Sequence, residues 1–142
     1  MTARDVIDTL FRVVLANDAD QLGSIYAPDV VIDIPFAPPG MPTRYVGRDG
    51  LVRRWTAAQR ERRFTAIDEV AVHETPDPDE IIVEYRVHGL VTTTGKEFAL
   101  RFLMVVTVRD GLIVASRDYG DHIAAAKAYD RLPALLESLG RQ

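Results

Sequence analysis

Ile81–Leu90 reads IIVEYRVHGL, and its alternation decides the fold. Ile81, Val83, Tyr85 and Val87 share one parity, while Glu84, Arg86 and His88 share the other. Successive strand side chains point to opposite faces, so this stretch is a strand with one apolar and one polar side. The same period of two runs through the chain from Phe64 onward. It predicts strands near Thr65–Glu74, Glu80–Thr92, Glu97–Arg109 and Leu112–Tyr119. The turn TPDPD at Thr75–Asp79 separates the first two, and Thr94-Gly95 and Asp110-Gly111 supply hairpin turns between the others. Three consecutive antiparallel strands make a meander. Phe98–Val108 is apolar on both parities through its middle, as in a strand covered on both faces. With few helices available, one face is expected to meet them and the other a second copy of the chain, giving a homodimer.

Upstream, the period is helical. Thr2 caps a first helix carrying Ile7, Leu10, Phe11 and Val14, and Asp18 with Gln21 opens a short second one. Val30–Ile34 reads as a short strand. Pro35–Tyr45, PFAPPGMPTRY, has four prolines and a glycine and is expected to be irregular. Gly47 and Asp49 introduce a third helix with Leu51, Val52, Trp55 and Ala58 on its buried stripe. Arg53, Arg54, Arg60, Arg62 and Arg63 read most simply as its solvated side and end, where cations complement the helix dipole. A helical tail with Leu132, Leu135, Leu136 and Leu139 closes the chain. Helices followed by an antiparallel meander define an α+β class.

The 142 residues fit one domain, residues 1–142, with 47% hydrophobic and 27% charged residues. A net charge of −4 argues against a nucleic-acid partner. The absence of cysteine removes disulfides, thiolate metal sites and cysteine nucleophiles, and suits a reducing cytoplasm. Charged residues interrupt the N-terminal segment, and the apolar runs are too short to span a bilayer, so a soluble protein without a membrane partner is expected. His73, His88 and His122 lack ligand spacing, and GRDG at Gly47–Gly50 lacks the lysine of a phosphate loop. Neither a metal nor another cofactor is therefore expected.

Chemistry concentrates at SRDYGDH, Ser116–His122. Asp118 there follows an apolar run that reads as a late strand of the same sheet. A carboxylate in an apolar pocket loses hydration and gains basicity, which suits a general base. Arg86 would orient Asp118 or bind a developing oxyanion, and His88 would donate or relay a proton. Asp33 would orient His88 or act as a second carboxylate. Phe36, Met41, Tyr45 and Trp55 would touch a flat apolar small molecule. A plainer reading stays open for each: a polar sheet face with cross-strand pairs for Arg86 and His88, a strand-end ion pair for Asp118, a turn acceptor for Asp33, and a core cap for the four apolar side chains.

VVIDIP, YVGRDGL and DGLIVASRDYGD, in this order of elements, resemble the nuclear transport factor 2-like cone fold. Within it, the chain resembles the SnoaL-like polyketide cyclase and ketosteroid-isomerase-related group. That resemblance implies a pocket between N-terminal helices and a curved antiparallel sheet, and often a dimer. Arg86-Val87-His88 and Arg117–Asp121 are similar to the arginine–aspartate pair and RDYFD segment of limonene-type epoxide hydrolases. Asp118 then falls on their water-activating aspartate, His88 replaces an aspartate and Asp33 an asparagine, while their water-holding tyrosine falls on Val31. The steroid-isomerase base falls on Ile34 and its first-helix tyrosine near Leu10. PFAPPGMP and RDYGDH also resemble small phenazine-biosynthesis proteins, in which an acidic residue matching Asp118 acts in acid/base steps. The resemblance implies a cofactor-free isomerase or cyclase acting on a hydrophobic, carbonyl-bearing metabolite. The alternatives are epoxide hydrolase-type water activation by Asp118, or a non-catalytic small-molecule-binding or dimerisation domain.

Overall fold

The computed structural model describes residues 1–141. Helix α1, Ala3–Ala16, starts on a reciprocal cap: the Thr2 hydroxyl accepts from the Asp5 N–H at 3.1 Å, and the Asp5 carboxylate accepts from the Thr2 N–H at 2.9 Å. Its buried stripe is Val6, Ile7, Leu10 and Val13. Asn17 ends it in the left-handed region at φ 54°. The Asn17 side-chain amide then brackets Phe64, accepting from its N–H at 2.8 Å and donating to its carbonyl at 2.9 Å. This ties the end of α1 to a strand that begins more than forty residues later.

Helix α2, Ala19–Gly23, is capped by Asp18, whose carboxylate accepts from the Asp20 and Gln21 N–H groups. Strand β1, Tyr26–Asp33, starts earlier than the sequence reading expects. Pro28 is tolerated because it sits where pairing with the neighbouring strand is interrupted, between Tyr26 and Val31. Part of the segment expected to be irregular is ordered: Arg44–Val46 forms β2, a three-residue edge strand against Val31–Asp33. Helix α3, Arg48–Ala58, follows Gly47, whose φ of 99° a side chain would oppose.

Strands β3 (Arg62–Glu74), β4 (Glu80–Val91), β5 (Glu97–Arg109) and β6 (Leu112–Gly120) form the expected meander. Asp110-Gly111 has positive φ at both positions, 53° and 75°, as the tight hairpin turn requires. The sheet order is β2-β1-β6-β5-β4-β3, with β1 parallel to β6 and every other pair antiparallel. The tail is two helices, α4 (His122–Ala128) and α5 (Leu132–Gly140), divided at Asp130 with φ 56°.

The core lies where α1, α2 and α3 cover the concave face. Val6, Ile7, Leu22, Val30, Val83, Val106 and Ile113 are fully buried there. Three bulges bend the sheet toward this layer, two in β3, between Phe64 and Ala66 and between Asp68 and Ala71, and one in β6 at Val114. No helix among the described residues is long and apolar enough to cross a membrane.

Candidate active site

Between the helices and the concave face lies a cavity of about 390 Å³. Leu10, Phe11 and Val14 of α1 form one wall, Met41, Tyr45 and Trp55 another, and Ile67, Val87, Leu100, Phe102 and Met104 line the sheet side. Polar groups are few and separated: Asp118, the hydroxyls of Tyr26, Tyr45, Tyr85 and Tyr129, and the guanidinium groups of Arg54 and Arg62.

Asp118 is the cavity's only carboxylate among the lining residues. It lies on β6 across from Met104, which pairs in turn with Val83 of β4. Burial pushes its pKa up to about 6, against the opposing hydrogen bond donated by the Ser116 hydroxyl. Ser116 itself is buried. Part of the Asp118 surface stays open, and it opens onto the cavity. Tyr26 and Tyr85 are close enough to feel the Asp118 charge; burial first, and that charge second, push both phenols well above their usual range. They stay neutral and remain hydrogen-bond donors at any ordinary pH. The Tyr85 hydroxyl has only a weak protein acceptor, the Met104 sulfur at 3.6 Å. Its ring is held between Phe11, at a centroid distance of 4.9 Å, and Phe102, at 5.6 Å.

The room above Asp118 depends on Gly120, two residues on and on the same face. A Cβ at Gly120 would stand 2.7 Å from the Phe102 ring, a separation real side chains do not show. The glycine therefore lets Phe102 lie against β6 and form the cavity wall.

Arg86, His88 and Asp33 do not meet Asp118. Arg86 donates to both Asp68 carboxylate oxygens at 2.8 Å, and His88 Nε2 lies 2.9 Å from the same group. Glu69 joins this cluster through Arg86 and Arg101. Asp33 is bound by Arg44 at 2.7 and 3.2 Å. All three expected partners lie on the convex face, opposite the cavity. A plain two-residue hairpin would set Asp118 across from Leu103, which pairs with Glu84 on the face of Arg86 and His88. The extra residue at Val114 shifts the pairing by one, so Asp118 faces Met104 instead and turns inward.

Of the expected ligand contacts, Met41, Tyr45 and Trp55 line the cavity. Phe36 does not: it is 72% exposed and rests edge-on against Tyr119, 5.3 Å away on the convex side. The arginines also divide. Arg53, Arg60 and Arg63 are exposed as expected, whereas Arg54 and Arg62 are half-buried and line the cavity. Sequence reasoning missed these two, together with Tyr26, Tyr85 and Tyr129. For Tyr85 a signal was present, since it shares the inward parity of Val83 and Val87. For Arg54 and Arg62 there was none, because arginines beside a helix end are ordinarily solvated.

Residues 7–116 match the SnoaL-like domain family. The chain belongs to that family. An uncharacterised PhzA/B-like protein of Pseudomonas aeruginosa is 31% identical over 121 residues, which is 84% of each chain. Two solved structures share the fold. A "putative isomerase" from Bacillus subtilis is 22% identical, covers 91% of this chain and 93% of its own, and superposes with a TM-score of 0.84. A "putative polyketide cyclase" from Xanthomonas campestris is 21% identical, covers 89% and 96%, and superposes with a TM-score of 0.75. The architecture is the nuclear transport factor 2-like, ketosteroid isomerase-like cone that the sequence motifs resemble.

Proposed function

We propose that this SnoaL-like protein is a cofactor-free acid/base isomerase or cyclase acting on a hydrophobic, carbonyl-bearing small molecule. The observation that carries this reading is a lone carboxylate, Asp118, with a pKa near 6 in an apolar cavity beside two neutral phenols. A base of this strength is mostly ionised at neutral pH yet retains the drive to take a proton. Asp118 removes a proton from the carbon next to the carbonyl, and the C–H electron pair moves into the enolate. Tyr85 or Tyr26 donates a hydrogen bond to the oxygen that gains charge. The protonated Asp118 then returns the proton to another carbon of the conjugated system, completing isomerisation. In a cyclisation, the enolate carbon instead attacks a second carbonyl of the same molecule, the π electrons of that carbonyl move onto its oxygen, and the resulting alkoxide takes back the proton held by Asp118.

The isomerase and polyketide cyclase names of the structural relatives agree in reaction class with this scheme. A direct test follows deuterium entry at the α-carbon of 2-tetralone in D₂O by proton NMR. The wild-type protein should accelerate exchange, and Asp118→Asn should remove about a hundred- to ten-thousand-fold of that rate. No acceleration, or acceleration that survives the substitution, refutes the scheme.

The convex face supports a homodimer. Ile82 and Leu103 are half-buried there, and Phe36 and Val46 remain 72% and 64% exposed on the same side. Ile82 and Leu103 sit beside Val105 in register. Sedimentation equilibrium should give twice the chain mass, and Phe36→Asp with Val46→Glu should reduce it to a monomer. A monomeric wild type would refute the dimer.

A further inference from the structure

Arg54 and Arg62 stand out from the other arginines by where they sit. Arg4, Arg44, Arg86, Arg101, Arg109, Arg131 and Arg141 each pair with a carboxylate. Arg54 and Arg62 are half-buried in an apolar cavity, and neither makes an ion pair among the described residues. The guanidinium of Arg62 lies 4.0 Å over Phe64 and 4.7 Å over Trp55; that of Arg54 lies 3.7 Å over Tyr45. Stacking occupies the flat face of a guanidinium and leaves the N–H donors along its edge for another partner. Near Arg62 the polar neighbour is the neutral Tyr129 hydroxyl, while Glu61, whose charge reaches Arg62, is engaged by Arg131 at 2.8 Å. Burial disfavours the charge of both arginines. A buried cation with no anion is unfavourable unless a ligand supplies one.

The position of Arg62 is built rather than incidental. It begins β3, two residues before Phe64, whose backbone is clamped by Asn17. In register, Arg62 lies opposite Val91 of β4, whereas Asp118 lies in the row of Met104 and Val83, so three strand spacings, about 14 Å, and a further run along the strands from Val91 to Val83, about 26 Å, separate their backbones, and the two side chains meet the same cavity at opposite ends. The stretch between is lined by Phe64, Tyr85, Val87, Leu100 and Phe102.

We propose that the cavity has an anion-binding end built on Arg62 and assisted by Arg54, and that its ligand is a flat, apolar acid whose carboxylate rests against Arg62. This deepens the function proposed above and rests on it for the reacting end: the carboxylate anchors one end of the molecule and places its carbonyl end toward Asp118. The substrate class narrows to an elongated aromatic or polycyclic carbonyl compound that also bears a carboxylate.

Calorimetric titration with naphthalene-2-carboxylate and with naphthalene-2-carboxamide tests this, because the two differ mainly in charge. The wild-type protein should bind the carboxylate at least tenfold more tightly. Arg62→Met should remove the preference and Arg62→Lys should keep part of it, since charge survives but the flat fork does not. Asp118→Asn should leave the preference in place. Equal affinities in the wild type, failure of the carboxylate to bind at millimolar concentration, or a preference unchanged in Arg62→Met each overturn the proposal. Should Arg62→Met fail to fold, the wild-type comparison and Arg62→Lys decide. A carboxylate preference alongside exchange activity that survives Asp118→Asn sinks the acid/base scheme alone. Loss of exchange in Asp118→Asn without any carboxylate preference sinks the anion subsite alone.

Discussion

Asp118 and Asp68 are the same residue type on opposite faces of one sheet, and their environments drive them in opposite directions. Asp118 faces the concave side, where burial pushes its pKa up to about 6 and only the Ser116 hydroxyl favours its charge. Asp68 faces the convex side, where hydrogen bonds from Arg86, and then from His88, hold its carboxyl well below the usual range. One carboxylate is left reactive by the removal of water and of counter-charges. The other is satisfied, and chemically idle. Titratable groups are therefore diagnostic through what surrounds them, and the polar face of a strand is where partners are easiest to find.

The contrast breaks most sharply at Asp118. Asp118→Asn should abolish catalysis by the factor given above and at the same time stabilise the fold. A carboxylate whose folded pKa is raised binds its proton more tightly in the native state, so stability is lost as pH rises from about 4 through about 6. At neutral pH the burden is about 2–3 kcal/mol. The variant should melt higher than the wild type at pH 7.5 and match it near pH 4. Catalysis by wild type should rise with pH through about 6, because the base must be ionised; a rate that falls there would instead make Asp118 an acid.

Tyr85→Phe comes next. It removes a hydroxyl that has only a sulfur partner at 3.6 Å in the free protein. The expected loss in kcat is about a hundredfold with little change in Tm, as for one oxyanion donor. An unchanged kcat would leave Tyr26 as the donor. Gly120→Ala tests how the reactive face is kept open. The added methyl meets Phe102 at 2.7 Å, so the fold should lose about 1–3 kcal/mol in urea denaturation, and the cavity should shrink.

The smallest effect belongs to the convex face. Asp68→Asn should leave catalysis and ligand binding unchanged and lower Tm slightly, since its partners are half-exposed. Its pH window is the reverse of that at Asp118. A depressed carboxylate contributes stability above its unfolded pKa and loses it as pH falls through the folded value. The wild-type Tm should therefore fall in acid, and the variant should fall less. A change in catalytic rate in Asp68→Asn would mean that the two faces are coupled.

Much of the scaffold was legible in residues alone. The caps at Thr2 and Asp18, the apolar parity of β4 and the Asp110-Gly111 turn are local signals, written in neighbouring side chains and in backbone freedom. So was Asp118 as the acidic group worth following, and Met41, Tyr45 and Trp55 as cavity contacts. The expected grouping of Arg86, His88 and Asp33 around Asp118 does not form. Arg86, His88 and Asp33 have the right chemistry and the wrong face, and Phe36 lies outside the cavity with its ring on Tyr119. The cavity positions of Arg54 and Arg62 were equally hidden, because the rings they stack on, Tyr45, Trp55 and Phe64, come from three different elements.

What the amino-acid order determined by itself is most of the elements, namely the first three helices, the four meander strands and the turns between them, but not the edge strand β2 or the break in the tail. Those follow from periodicity, capping and turn chemistry within a few residues of each position. Which way Asp118 points was decided only by tertiary structure. One extra residue at Val114 resets the β5–β6 register and exchanges the two faces for everything beyond it. Since strand side chains alternate with every residue, that single insertion converts a surface ion-pair candidate into the acid among the described residues that line an apolar cavity.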